Sequence, residues 1–217
     1  VKISEVLALP VEVGSAIRHR KLFHPVGVLA RGRIERLAPP GHGLPIQDGD
    51  VTGRVSKAVG LPGAIPDIAG LAWRMTVDGR PWDVLLATTA VNRLLLLPTL
   101  EWQGATYSSL MPLRYDGGVW WLRATLVTAL DGSGLSLDTI TEQLSRGDLV
   151  YSIDQAAGSG AFGPLARLTL SEEMPPDRDL SFDPTLNSAP GVSLTPGWLT
   201  DFRRAAYRRS REGRDAE

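Results

Sequence analysis

Leu71-Ala72-Trp73-Arg74-Met75-Thr76-Val77-Asp78-Gly79-Arg80-Pro81-Trp82-Asp83-Val84-Leu85-Leu86-Ala87-Thr88-Thr89 is the stretch whose reading decides the fold. Two apolar-rich runs, Leu71 to Val77 and Trp82 to Thr89, flank Asp78-Gly79-Arg80-Pro81. An Asp-Gly pair between such runs tolerates the positive φ angles of a tight hairpin turn, so the stretch predicts two antiparallel strands. The same signal returns downstream. Tyr107 to Tyr115 and Val119 to Ala129 flank Asp116-Gly117-Gly118, which predicts a second hairpin.

Further strands are expected on both sides. Val26 to Leu37 alternates in polarity, and Val51 to Val59 is a second candidate strand, ended by Gly60-Leu61-Pro62-Gly63. Leu165 to Leu170 reads as another strand, and Leu94 to Leu100 is a dense apolar run of either type. Ser136 to Arg146 has helical spacing, with Leu137, Ile140 and Leu144 on one stripe and Ser136 or Asp138 as cap. Residues 1–22 form a lead-in, helical or extended. Residues 174–196, rich in Pro, Asp and Ser, read as an extended loop, and Thr195-Pro196 opens a last helix. Six to eight strands with helices late predict an α+β protein, mainly antiparallel β. The expected form is a closed β-barrel with helical additions, built as a single domain over residues 1–217. The space bounded by a barrel, its loops and its helices is a common place for a buried cofactor.

Composition narrows the chemistry. A hydrophobic content of 43% over 217 residues supports one sizeable core. The net charge of -1 argues against a general nucleic-acid binder. Positive charge still clusters, at Arg18-His19-Arg20-Lys21, from Arg31 to Arg36, and in the C-terminal tail, which suits a small anionic ligand. The absence of cysteine removes disulfides, thiolate metal sites and thiol nucleophiles together. The three histidines, His19, His24 and His42, include no His-x-x-x-His pair, which argues against a zinc hydrolase. No apolar run is long enough to span a bilayer, and Val1-Lys2-Ile3-Ser4-Glu5 opens no signal-type segment, so a cytoplasmic location and no membrane partner are expected.

The tail carries the sharpest chemical signal. In Phe202-Arg203-Arg204-Ala205-Ala206-Tyr207-Arg208-Arg209-Ser210-Arg211-Glu212-Gly213-Arg214, a helix would place Arg203, Tyr207, Arg211 and Arg214 on one face. Guanidinium groups on either side of a phenol favour its phenolate, and tyrosinate is a known ligand of haem iron. The plainer reading is a solvated basic helix with one amphipathic tyrosine. At the other end of the chain stands His24-Pro25-Val26-Gly27-Val28-Leu29-Ala30-Arg31-Gly32, a histidine entering a strand with glycines three and eight positions on. Glycine within a strand marks close approach of another group. Then follow Gly53-Arg54-Val55-Ser56, Pro66-Asp67-Ile68-Ala69-Gly70-Leu71-Ala72-Trp73-Arg74, Trp82-Asp83-Val84-Leu85, Phe182-Asp183-Pro184 and Pro190-Gly191.

In order and internal spacing this set resembles the haem catalases and their smaller relatives, the catalase-related peroxidase-like proteins. The resemblance covers most of residues 20–100 and 178–214 and is thin over 101–175. It implies a β-barrel of the catalase type, a C-terminal helix carrying the proximal tyrosine, haem b as the iron cofactor, and a peroxide-using oxidoreductase. Position by position, Tyr207 resembles the proximal iron ligand and Arg203 the residue that keeps its phenolate ionised. His24 resembles the distal acid/base, and Ser56 the group that orients its imidazole. Arg54 and Arg211 resemble partners of the haem propionates, with Arg214 a further candidate. Lys21 stands where the family has a basic residue before the distal histidine.

The departures bear on activity. Ala87 occupies the place of the distal asparagine of true catalases, with Thr88 or Thr89 as the nearest polar substitutes. Asn92, Arg93 and Leu94 to Leu97 replace a phenylalanine-rich channel wall. Peroxidase chemistry, on hydrogen peroxide with a small organic reductant or on an organic hydroperoxide, is therefore expected over fast disproportionation. The alternative is a non-catalytic barrel holding haem or another flat ligand as carrier or sensor. A homodimer is the expected assembly. On the plainer reading of single residues, Arg54 pairs with Asp50 or Asp67, Trp73, Trp82, Trp120 and Trp121 are core or rim aromatics, His42 is a loop residue and His19 faces solvent.

Overall fold

A computed structural model of the chain describes residues 26–58, 60–89, 96–175 and 180–195. Ten strands lie in one antiparallel sheet: β1 (Val26–Arg36), β2 (Gly49–Lys57), β3 (Ala69–Val77), β4 (Arg80–Thr88), β5 (Thr106–Ser108), β6 (Leu113–Tyr115), β7 (Gly118–Leu126), β8 (Leu149–Ala157), β9 (Gly163–Glu173) and β10 (Ser193–Leu194). Eight of them close a barrel in the order β1-β2-β3-β4-β5-β7-β8-β9, with β9 returning to pair with β1. Closure removes the exposed edges that an open sheet of this length would leave. β6 continues along the β7 edge beyond β5, and β10 covers its free side.

Local chemistry explains the hairpins. Asp78 and Gly79 both have positive φ, at 50° and 74°, and Asp116 and Gly117 repeat this at 47° and 72°. Two consecutive positive φ values match the twist of the flanking strands, so β3–β4 and β6–β7 run on in register from Val77↔Arg80 and Tyr115↔Gly118. The single described helix, α1 (Leu137–Arg146), starts where Ser136 Oγ accepts from the Asp138 N–H at 3.2 Å. Asp138 in its first turn and Arg146 in its last both complement the helix dipole. Ile140 and Leu144 are buried, and the helix packs on β9, β1 and β8.

The core fills the barrel. Ile34, Leu71, Trp73, Trp82, Leu122, Tyr151, Ile153, Leu168 and Leu170 are all buried there, on alternate positions of their strands. Gly53 belongs to this inner side, where a Cβ would approach Leu170 Cδ2 to 2.6 Å, so the glycine leaves room for that leucine in its present position across the barrel. Trp102 plugs the bundle of loops near α1, with Nε1–H donating to the Ser136 carbonyl at 2.9 Å.

The mainly antiparallel closed barrel agrees with the sequence reading, as do both hairpins and the helix. Tyr107 to Tyr115 is not one strand but two, because Leu110 between them takes a left-handed φ of 57°. Leu149–Ala157, absent from the sequence-derived strands, is a full barrel strand. Leu96 to Leu100 forms only isolated bridges, Thr89↔Leu96 and Asp67↔Thr99. The expected lead-in over residues 1–22 and the last helix from Pro196 lie outside the described residues.

Candidate functional site

The strand registers define rungs on the outer face of β1–β4. One rung runs Leu29↔Arg54↔Ala72↔Leu85. The next runs Gly27↔Ser56↔Gly70↔Ala87, and continues to Ser108 on β5. On the other side lies Arg31↔Thr52↔Arg74↔Asp83. Pairing partners in a sheet put their side chains on the same face. Arg54, Ser56 and Ala87, singled out from sequence, therefore share one outer surface.

This surface carries a second, smaller apolar core outside the barrel. Leu29 and Ala72 bury themselves against Met174 and Phe182, with Leu85 and Leu180 packed at the margin. The Phe182 ring lies under two cations, 5.1 Å from the Arg54 guanidinium carbon and 5.8 Å from that of Arg74. The segment bearing Phe182 is held by Asp83. That carboxylate, wholly buried, accepts from Arg74 Nε at 2.6 Å and Arg74 Nη2 at 2.7 Å. It also accepts from the Asp183 backbone N–H at 2.7 Å and from Asn187 Nδ2 at 2.8 Å. A buried carboxylate needs such a full set of donors. The pair also raises the Arg74 guanidinium above its ordinary pKa, through the hydrogen bonds that it donates to Asp83, against burial that opposes it. Asp183 in turn accepts from the Thr185 N–H and hydroxyl, at 2.9 and 2.6 Å, and so shapes the turn that follows.

Ser56 sits between two glycines for a steric reason. A Cβ on Gly70 would lie 2.7 Å from Ser56 Oγ, and one on Gly27 would lie 2.8 Å from Ser56 Cβ. The result is a strip of small side chains with one hydroxyl in its middle, beside the apolar patch of Leu29, Ala72 and Leu85. Ser108 at the end of the rung is 2% exposed, and its Oγ has no hydrogen-bond partner. No sequence signal singled out Ser108, because only the β4–β5 pairing brings it beside Ala87.

Thr88 is not part of this group. It points to the barrel side, where its Oγ1 accepts from the Ala69 N–H at 3.2 Å. Lys21, His24, Arg203, Tyr207, Arg211 and Arg214 lie outside the described residues. His42 is an exposed loop residue whose carbonyl accepts from Arg36 Nη2 at 2.7 Å. Trp73 and Trp82 are core aromatics, in line with the plainer reading of these residues. Asp50, almost fully exposed, pairs with Arg33 at 4.0 Å. An open groove of about 560 Å³ runs over the third rung, lined by Arg31, Thr52, Arg74 and Glu172 among others. Arg31 and Glu172 pair on its wall at 3.5 Å, and Val51 and Met75 also line it, so its surface is mixed in polarity. Among the described residues, no group of His, Asp and Glu could hold a metal ion. No described helix is long and apolar enough to cross a membrane.

The class these features define is a closed eight-stranded antiparallel barrel with a small apolar and cationic site on the outer face of its first four strands. No protein-family model matches the chain, and no curated protein matches it.

Proposed function

We propose that this chain is a small haem-dependent oxidoreductase of the catalase-related kind, which uses a peroxide to oxidise a small organic reductant. The observation that carries the proposal is convergence. Arg54 and Ser56 on β2, Gly70 and Ala72 on β3, Asp83 on β4 and Phe182-Asp183 from more than a hundred residues later meet on one outer face. These are segments on which the resemblance to the haem catalases rests; the pairing of consecutive strands β1 to β4 already brings the first of them together, and the arrival of Phe182-Asp183 is the contact that it does not give.

Gly27, Gly70 and Ala87 keep the strip low beside Leu85, and Arg54 stands next to it as a cation over Phe182. Leu29 and Ala72 are already covered by Met174 and Phe182, so a flat group on this face needs the 180–195 segment to make way. Bound haem would supply redox-active iron. Tyr207 would hold that iron as phenolate, with Arg203 favouring its ionised form. Arg54, Arg211, Arg214 and Lys21 would neutralise the propionates. His24 would take the proton of an incoming peroxide on one oxygen and return it to the leaving oxygen. The chain joins the Ser56 rung at Gly27, three residues after His24, which supports Ser56 as the group that orients the imidazole.

A second reading has its own support. Ala87 offers no amide, and Thr88 is turned into the barrel, so the described part of the site holds little to steer a second peroxide. On that reading the face binds haem or another flat ligand without turnover. Hemin-loaded full-length protein, assayed with hydrogen peroxide and a phenolic reductant, separates the two. The enzyme reading expects turnover well above free hemin, falling by about 10²-fold or more in His24→Ala while haem stays bound. Turnover no faster than free hemin leaves the carrier reading.

A further inference from the structure

We propose that one end of the barrel carries an apolar platform, built from residues 61–66 and 96–100, on which the chain's own segment Val6-Leu7-Ala8-Leu9-Pro10-Val11-Glu12-Val13 docks. The inference is independent of the haem reading.

The platform is made of two loops without a charged side chain, Leu61-Pro62-Gly63-Ala64-Ile65-Pro66 and Leu96-Leu97-Pro98-Thr99-Leu100. Asp67 joins them. Its N–H donates to the Thr99 carbonyl at 3.1 Å, and its carbonyl accepts from the Thr99 N–H at 2.9 Å. Its carboxylate accepts from the Leu61 N–H at 3.1 Å, and the buried Lys57 ammonium donates to the Leu61 carbonyl. The Gly63 carbonyl accepts from the Leu135 N–H at 3.0 Å, and the Leu97 N–H donates to the Thr88 carbonyl at 3.0 Å. Both loops are thus pinned through their backbones while apolar side chains stay outside. Of the seven large apolar side chains exposed among the described residues, four stand here: Ile65, Leu96, Leu97 and Leu100. Exposed leucines scattered singly are ordinary, but a group of them on a fixed surface marks a docking site.

The occupant follows from where the chain enters the barrel. β1 begins at Val26, which pairs with Lys57, and the next residue, Ala58, donates its N–H to the Ile68 carbonyl at this same end. Three strand spacings, about 15 Å, separate Val26 from the Asp67–Thr99 bridge. Residues 14–25 reach about 40 Å when extended, so the segment before them can lie across both loops of its own barrel. That segment is apolar apart from Glu12. Pro62, Pro66 and Pro98 lack N–H groups, so the platform offers contact between side chains rather than strand pairing.

The test is amide hydrogen exchange on the full chain at low concentration, with Ile65→Asp/Leu97→Asp alongside. Residues 6–13 are expected to exchange about 10-fold or more slowly than an unstructured chain, and to lose that protection in the variant. The barrel strands should keep theirs, because both substituted side chains are exposed. Val6→Asp/Leu9→Asp, which leaves the platform intact, should release the segment equally. Exchange of residues 6–13 at the unstructured rate in the wild type overturns the proposal. Protection that survives both variants overturns it too, by placing the segment elsewhere. Protection that appears only as concentration rises, together with dimers in sedimentation, overturns it in favour of a second copy on the platform.

Discussion

Arg74 and Asp83 face each other across the β3–β4 hairpin and join through two hydrogen bonds, Nε to Oδ1 at 2.6 Å and Nη2 to Oδ2 at 2.7 Å. The pair does more than tie the hairpin. Asp83 Oδ2 also receives the Asp183 N–H, and Arg74 Nη2 donates to the Ser181 carbonyl at 2.9 Å. A local strand pair thus becomes the anchor of a distant segment, and Phe182 is delivered over Arg54 as a consequence.

Removing that anchor has a defined cost. Asp83→Ala leaves Arg74 without its partner and frees two further donors, so it should lower stability by about 3–5 kcal/mol in urea unfolding. Residues 180–195 should become sensitive to limited proteolysis before the barrel does. Equal proteolytic resistance in the two proteins would show that the segment is held by its apolar contacts instead.

Ser56 and Gly70 form a steric pair. Gly70→Ala brings a Cβ to 2.7 Å from Ser56 Oγ, and this overpacking should cost about 1–3 kcal/mol. Ser56→Ala removes the obstructing oxygen, so the double variant Ser56→Ala/Gly70→Ala should recover part of the loss. Strict additivity in the double-mutant cycle would mean that the two side chains do not meet.

Tyr107 and Tyr151 give the barrel an alkaline limit. Their rings meet edge to face, with centroids 6.0 Å apart inside the core. Burial raises both phenols above their ordinary value near 10. Each hydroxyl influences the other's ionisation, yet neither makes a hydrogen bond of normal geometry. The unfolded phenols release protons near pH 10 while the folded ones still hold theirs. Stability is thus full below pH 10 and falls above it, by about 1.4 kcal/mol per pH unit for each tyrosine until the folded groups titrate. Thermal melts from pH 8 to 11.5 should show the decline, and Tyr107→Phe/Tyr151→Phe should flatten it. A slope unchanged in that double variant would assign the alkaline loss to other groups.

Much of this fold is written locally. Asp78-Gly79 and Asp116-Gly117 announce their turns, and Ser136 announces α1. The break at Leu110 is not announced, because leucine carries no sign of a left-handed conformation that its neighbours impose. Strand β8 does alternate, with Leu149, Tyr151 and Ile153 inward, but Val150 and Ala157 blur the pattern. The joining of β9 to β1 spans most of the chain, and no local signal encodes it. For the candidate site, motif order singled out Arg54, Ser56 and Ala87, which the strand registers place on one face, while Ser108 beside Ala87 carries no sequence signal, since its place depends on a two-residue strand pairing. The run Leu71-Ala72-Trp73 held the one physical hint: continuous burial in a strand means that both faces are covered.

The most direct test is a hemin titration of the full-length protein followed by absorption, with Tyr207→Phe alongside. The haem reading predicts a saturable Soret band with the high-spin visible bands of a tyrosinate ligand, and loss of those bands in Tyr207→Phe. A spectrum indistinguishable from free hemin, or one that Tyr207→Phe leaves unchanged, would contradict it.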